Sequence, residues 1–256
     1  LKTAPFFTAI FANSPFYEGA PFGGLSFRAK VWLDVDPDRQ GLLPRLFAPR
    51  ATFVDYVEWA LDAPMFLLLR DGAVIENTGQ TFRDFFEHGF ADHRATMDDW
   101  VTHLNTLFPE VRLKRTIEVR GGDSLPADLV VGPAALYTGI FYDERALDEV
   151  ESLVESFTFE ELTALRPAVW KDGPRAVFRG KPAGEVGQRM VDAARAGLAR
   201  RARQSPAGVD ETVFLDPITK HIEKLRCPAD DLLDAYEAAG GGQAGLRSAL
   251  STVARL

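Results

Sequence analysis

The sequence contains a single cysteine, Cys227, in 256 residues. One thiol excludes an internal disulfide framework and a four-cysteine zinc site. No apolar run approaches the ~20 residues that a membrane-spanning helix needs. No signal-peptide pattern opens the chain, so a cytosolic location is expected and no membrane partner is. Two phosphate-binding motifs are also lacking: a GxxxxGK loop, and a GxGxxG that follows a strand. Phe22-Gly-Gly24 is too short to serve as a phosphate cradle. The four histidines, His88, His93, His103 and His221, make no ligand spacing; His103, near Trp100 on a helix, reads as a packed, hydrogen-bonded residue. Positive charge is in deficit, with 29 Lys and Arg against 37 Asp and Glu and a net charge of −8. Such a field excludes nucleic-acid binding by the chain as a whole. The basic run Arg195–Arg203 is local and reads as the solvated face of a helix.

What is present suits a globular protein. The chain is 46% hydrophobic and 26% charged, and long enough for one large domain or two small ones. It opens at Leu1 rather than Met, on Phe6-Phe-Thr-Ala-Ile-Phe-Ala12, which reads as buried. A longer protein is expected to precede it. Up to about Asp123 strands, hairpins and short helices alternate; beyond about Pro126 the pattern is almost all helical. The expected fold class is therefore α+β, an antiparallel-sheet body over residues 1–125 followed by a helical region over 126–256.

Several local signals are specific. Phe6–Ala12 is helix or strand, which periodicity cannot settle. Asn13–Gly24, rich in Pro and Gly, reads as a loop. Val54, Val57 and Leu61 are spaced for a helix. Arg70-Asp-Gly-Ala73 is an Asp-Gly hairpin turn. Thr96 with Asp99, and Thr158 with Glu161, are capping pairs. Pro182 starts a long helix through Arg203, in which Gly187 and Gly197 are unfavourable. Pro228 opens a helix that Gly240-Gly-Gly242 ends.

Two segments alternate like strands with one apolar face and one charged face. Ser26–Asp36 presents Arg28, Lys30, Trp32 and Asp34. Val111–Arg120 presents Arg112, Lys114, Thr116, Glu118 and Arg120, with Arg115 as the one charge on the apolar side. On a single strand Glu118 and Arg120 would sit ~6.5–7 Å apart on one side. A carboxylate there can hold Mg²⁺, and an arginine fork can hold phosphate or carboxylate. By pattern alone, an ordinary solvated sheet with cross-strand ion pairs explains the same face.

Ordered segments then resemble a known family. Phe11-Ala-Asn-Ser-Pro-Phe-Tyr-Glu-Gly19, Leu25–Arg39, Tyr56-Val-Glu-Trp-Ala-Leu-Asp-Ala-Pro-Met65, Gly79–Asp84 and Asp99–Arg115 resemble the glutamate–cysteine ligases of the plant and proteobacterial type. The likeness runs in order from about Phe11 to Asp143, then more loosely to about Tyr236. It implies the later portion of a glutamine-synthetase-like catalytic domain, whose antiparallel sheet forms a funnel around the site. It implies ATP-dependent, Mg²⁺-dependent ligation of the glutamate γ-carboxylate to the cysteine amine through a γ-glutamyl phosphate. Glutamate, cysteine and ATP would be the partners, together with the N-terminal part of the domain or a second chain. Under this resemblance Glu118 is a Mg²⁺ ligand, and Arg120 contacts substrate or the transferring phosphoryl group. Arg28, Trp32 and Phe66 fall at substrate-binding positions, although Phe66 often corresponds to a tyrosine. Arg112 and Lys114 are candidates for ATP phosphates or for ordinary ion pairs.

The family's early strands, which carry further Glu ligands, have no counterpart here, and neither do the paired plant cysteines. Regulation through that cysteine pair is therefore not expected. Glutathione, ergothioneine or another thiol pathway could be served. A non-catalytic binding fragment and a ligase with another amine acceptor are the competing expectations.

Overall fold

In a computed structural model of the chain, residues 1–253 are described. The first elements are α1 (Ala4–Ile10), β1 (Phe16–Tyr17), β2 (Ala20–Pro21), α2 (Phe27–Asp34) and β3 (Gln40–Gly41). There follow α3 (Phe53–Asp62), β4 (Leu67–Arg70), β5 (Ala73–Glu76), α4 (Phe82–His88) and α5 (Met97–Asn105). Next come β6 (Phe108–Pro109), β7 (Val111–Leu113) and β8 (Ile117–Val119). The remainder is helical apart from one small hairpin: α6 (Gly132–Phe141), α7 (Glu144–Val154), α8 (Phe159–Asp172), β9 (Val177–Phe178), β10 (Lys181–Pro182), α9 (Ala183–Arg201), α10 (Asp216–Ile222), α11 (Pro228–Ala238) and α12 (Gly242–Val253). The class is α+β. Among the described residues the strands pair two by two, four pairs antiparallel and β3 with β6 parallel. No described helix is long and apolar enough to cross a membrane.

The chain divides into two compact units. One comprises Trp32–Arg120, with Leu1; the other comprises Lys2–Val31 and Gly121–Leu256. The division passes through α2.

In the helical unit, Pro5 at the first turn starts α1, whose seven residues are all buried. The helix lies against α8 and α9, so Phe6–Ala12 is settled as helix by packing rather than by pattern. Phe6, Ile10, Phe11, Leu136, Ile140, Leu162 and Met190 are fully buried around it. Complete burial of such side chains contributes ~1.5–3 kcal/mol each. The Thr158–Glu161 box forms as expected, and a cap of this kind adds ~1 kcal/mol. Helix α9 keeps its glycines for contact rather than for bending. A Cβ on Gly197 would lie 2.0 Å from the Gly139 carbonyl oxygen, and one on Gly139 would lie 2.2 Å from that of Ala194. Helices α6 and α9 therefore cross with their backbones touching.

In the Trp32–Arg120 unit, Met65, Leu68, Phe82 and Phe85 form one core cluster, and Ala60, Ala63 and Leu107 form another; Trp100 packs against both. The Thr96–Asp99 box starts α5, and Asp99 is gripped bidentately by Arg70 at 2.6 and 2.8 Å. The β4–β5 turn places Asp71 and Gly72 at φ +48° and +79°, the paired left-handed conformation of a two-residue hairpin.

Three sequence expectations fail locally. Asn13–Gly24 is not all loop, because Phe16–Tyr17 pairs with Ala20–Pro21. Ser26–Asp36 is not a strand. Ser26, fully buried, caps α2 by accepting from the Ala29 N–H at 3.0 Å, and no residue of α2 is fully buried. The apolar alternation had no core to face, so the cap decided the conformation. Val111–Arg120 is not one strand but the β7–β8 hairpin, closed where the Lys114 N–H donates to the Thr116 carbonyl.

Candidate functional site

The β7–β8 hairpin brings the charged residues together more closely than one strand could. Arg112 lies directly opposite Glu118 in the register. Glu118 Oε2 accepts from Arg112 Nε at 2.9 Å and from Arg120 Nη1 at 3.1 Å. Its Oε1 lies 3.3 Å from Lys114 Nζ. Burial pushes the Glu118 carboxyl up, but Arg112, Lys114 and Arg120 together hold it below the ordinary value. Three cations thus meet one carboxylate in a chain that is acidic as a whole.

The four residues are not equivalent. Arg112, only 9% exposed, also donates from Nη1 to the carbonyls of Asn105 and Leu107 at 3.1 and 3.2 Å. Its guanidinium braces the α5–β6 connection from inside. Ile117, placed on the apolar side by pattern, is instead 58% exposed. The hairpin turns part of its charged face inward, which reverses the expected sense. Lys114 is shared between Glu118 and Asn105 Oδ1, the latter at 2.8 Å. Arg115 is exposed on the turn.

An aromatic layer supports the cluster. The Arg120 guanidinium lies 5.5 Å from the Phe108 ring centre and that of Arg112 lies 6.0 Å from it. Trp32 packs on the same Phe108 ring at 5.5 Å. Trp32, Phe108, Arg112, Lys114, Glu118 and Arg120 therefore form one contiguous group. Beside it opens a cleft of about 630 Å³, lined by Phe53, Tyr56, Trp100, Leu113, Arg115 and Glu118 among others. The Tyr56 hydroxyl accepts from the Leu113 N–H at 3.2 Å and fixes the start of the turn.

Phe66 stands apart from this group. The Arg39 guanidinium sits 3.0 Å from its ring centre, held by an ion pair to Asp36 and by the Pro64 carbonyl. The buried Arg39 escaped the sequence reading; the only signal was the short-range spacing Asp36-Pro-Asp-Arg39, of a kind common in turns. Arg28 belongs to the helical unit, where its Nη1 donates to the Gly121 carbonyl at 3.3 Å.

The metal reading of Glu118 needs ligands beyond this cluster. Both its oxygens face cations, and among the described residues no group of three or more His, Cys, Asp or Glu side chains is placed to hold a metal ion. A hard divalent cation takes six or more oxygens, several from carboxylates or water. The residues present do not form a Mg²⁺ site by themselves.

Comparison with known proteins agrees with the resemblance read from sequence. Residues 1–248 match the family model "Glutamate-cysteine ligase family 2 (GCS2)". The chain is 39% identical over 244 residues to a protein of Nicotiana tabacum named glutamate–cysteine ligase, chloroplastic, covering 94% of this chain and 46% of that protein. It is 38% identical over 240 residues to glutamate–cysteine ligase A, chloroplastic, of Oryza sativa subsp. indica, covering 93% and 48%. For the protein of the same name as the tobacco one in Arabidopsis thaliana, the identity is 37% over 244 residues, covering 94% and 46%. The chain spans about half the length of the curated relatives it matches. The expectation of a cytosolic protein is corrected by these relatives, which are named chloroplastic. The expectation rested on the lack of a signal-peptide pattern and of a long apolar run, and neither feature chooses between one compartment and another.

Proposed function

The chain belongs to glutamate-cysteine ligase family 2, and from that premise we propose that the protein it represents joins the γ-carboxylate of glutamate to the amine of cysteine at the expense of ATP. The observation that carries the reading is the family match along residues 1–248; the positive cluster around Glu118 supports it. A γ-carboxylate oxygen attacks the terminal phosphorus of ATP and ADP leaves, giving a γ-glutamyl phosphate. The cysteine amine then attacks the acyl carbon, phosphate leaves, and the amine loses a proton.

Every reactant in the first step is anionic. Positive groups fixed on a hairpin lower that repulsion and cost no reorganisation as charge moves. Arg120 is assigned to the transferring phosphoryl group and Lys114 to the ATP phosphates. Arg112, already committed to backbone carbonyls, holds the hairpin shape. Glu118 keeps the three cations parallel and close, which their mutual repulsion would otherwise prevent. Trp32 and Phe66 are assigned to the substrate pocket wall, and Arg28 to an amino-acid carboxylate.

The test mixes the full-length protein with glutamate, cysteine and Mg-ATP. The expected result is γ-glutamylcysteine with one ADP and one phosphate per product. Ligation of a different amine, with no γ-glutamylcysteine, overturns the substrate assignment. Arg120→Ala is expected to lower kcat by about 10²-fold or more, a larger factor than its effect on the KM for cysteine. The reverse pattern removes Arg120 from the phosphoryl step.

A further inference from the structure

Asp123 belongs to none of the roles above, yet its carboxylate is among the most heavily used in the helical unit. It is 9% exposed. Oδ2 accepts from the Asn13 N–H at 2.7 Å and from the Ser14 hydroxyl at 2.8 Å. Oδ1 accepts from the Ser26 hydroxyl at 3.0 Å. Both hydroxyls then pass the order on. Ser14 Oγ accepts from the Arg28 N–H at 3.2 Å, and Ser26 Oγ accepts from the Ala29 N–H at 3.0 Å. These two amides lie in the first turn of α2, where unpaired N–H groups need acceptors.

The backbone around Asp123 is itself fixed. Its N–H donates to the Phe11 carbonyl at 3.3 Å. A Cβ on Gly121 would lie 2.5 Å from Thr8 Oγ1, and one on Gly122 would lie 3.1 Å from the Phe7 ring. The two glycines let residues 121–123 lie close on α1, an approach that a side chain on Gly121 would block and one on Gly122 would crowd. From that seat the Gly121 carbonyl receives the Arg28 guanidinium at 3.3 Å. Arg28 is thus referenced to one short segment at both ends, through its backbone by way of Asp123 and Ser14, and through its side chain by way of Gly121.

We propose that Asp123 is a positioning residue for Arg28: through Ser14 and Ser26 it sets the first turn of α2, and so the direction from which the Arg28 guanidinium meets a substrate carboxylate. The proposal rests on the reading of Arg28 as an amino-acid substrate contact. A carboxylate suits the task because both its oxygens accept here; an amide accepts at one and presents N–H groups at the other. Asp123→Asn preserves the shape and breaks the pattern.

The experiment uses the full-length enzyme, with steady-state kinetics in each amino-acid substrate and in ATP, and hydrogen exchange at the Arg28 and Ala29 amides. In D123N, exchange at those two amides is expected to rise about tenfold or more. The KM for one amino-acid substrate is expected to rise about tenfold, with kcat and the KM for ATP within threefold of the parent. Ser14→Ala and Ser26→Ala, which remove one hydroxyl each and leave the carboxylate, are expected to give smaller changes of the same kind. R28A combined with D123N is expected to match R28A alone. Should D123N fold poorly, the two serine variants carry the test. Unchanged exchange at Arg28 and Ala29 in all three variants overturns the positioning role by itself. Raised exchange with unchanged KM, in an enzyme whose R28A variant does lose affinity, overturns the link from Asp123 to substrate. If R28A alters neither amino-acid KM, the substrate reading of Arg28 fails and the proposed link falls with it, while the exchange data still report whether Asp123 orders the turn.

Discussion

The two units differ in how their main charge clusters and their cores are arranged. In the helical unit, three arginines each close on one carboxylate: Arg175 on Asp230, Arg179 on Glu161, Arg200 on Asp143. Its fully buried side chains gather around α1, while Tyr142 and Val177 stay exposed, and its helices approach until only glycine fits between α6 and α9. In the Trp32–Arg120 unit, three cations share one carboxylate, and Phe53, Val54, Phe86 and Met97 remain exposed. The first unit is organised for self-consistency. The second gathers three cations on one hairpin beside an exposed apolar face.

The sharpest way to break that contrast is to attack the helix crossing. Gly197→Val forces side-chain atoms into the Gly139 carbonyl, which a Cβ would approach to 2.0 Å. The backbone cannot give as a flexible side chain would. A loss of about 3 kcal/mol or more is expected in chemical unfolding. A loss under about 1 kcal/mol would show that α6 and α9 slide freely.

Next in size is Arg112→Ala. It leaves the Asn105 and Leu107 carbonyls without their donor and removes the strongest partner of Glu118. A cost of about 2–3 kcal/mol is expected in thermal unfolding. Lys114→Ala, a few residues away, is expected to cost under about 1 kcal/mol, while weakening the binding of tripolyphosphate, a metal-free probe of the cluster. Equal stability losses in the two variants would erase the distinction between brace and anion contact.

Acid tests the ion pairs of the helical unit. Arg200 and the Ala146 N–H hold the Asp143 carboxyl down to about 2 from an ordinary 3.8. Arg179 and the Thr158 N–H hold that of Glu161 down to about 2 from 4.5. Both folded values lie below the unfolded ones. The stability they add is therefore fully present above about pH 4.5 and lost as pH falls toward 2. The doubly substituted D143N/E161Q protein is expected to show a flatter decline of melting temperature across that window. An unchanged acid limb would mean that other carboxylates carry it.

How far the sequence could be read follows from where each deciding contact originates. The Thr96–Asp99 and Thr158–Glu161 boxes and the Asp71–Gly72 turn were legible because all their partners lie within a few residues. Ser26–Asp36 was misread because the bond that fixes Ser26 comes from Asp123, 97 positions away. The fold of Val111–Arg120 was missed because its turn, Lys114-Arg-Thr116, carries neither glycine nor proline to announce it. The chemistry of the cluster was readable as charge types, and family resemblance supplied their assignments. Their geometry was not: a hairpin makes Arg112 and Glu118 cross-strand partners, which no count along a single strand can show. Arg39 over Phe66 depends on the path of the chain after α2, which the strand reading had wrong.

The smallest expected effect tests the other half of the contrast. Phe53 is 75% exposed and Met97 73% exposed. Phe53 lines the cleft beside Arg115 and Glu118, and Met97 lines a neighbouring hollow of about 560 Å³ that shares Val57 and Trp100 with it. In the helical unit, replacing a fully buried Leu162 by alanine should cost about 2–5 kcal/mol through lost burial and the cavity left behind. Phe53→Ser and Met97→Ser remove comparable apolar volume, but each side chain gives up little contact with its own unit. Each is expected to change unfolding free energy by less than about 0.5 kcal/mol. A cost above about 1.5 kcal/mol in the isolated chain would show that these side chains already pack as core. In the full-length protein the same substitutions test whether further chain covers the face: a cost there, absent in the isolated chain, places that burial outside residues 1–256.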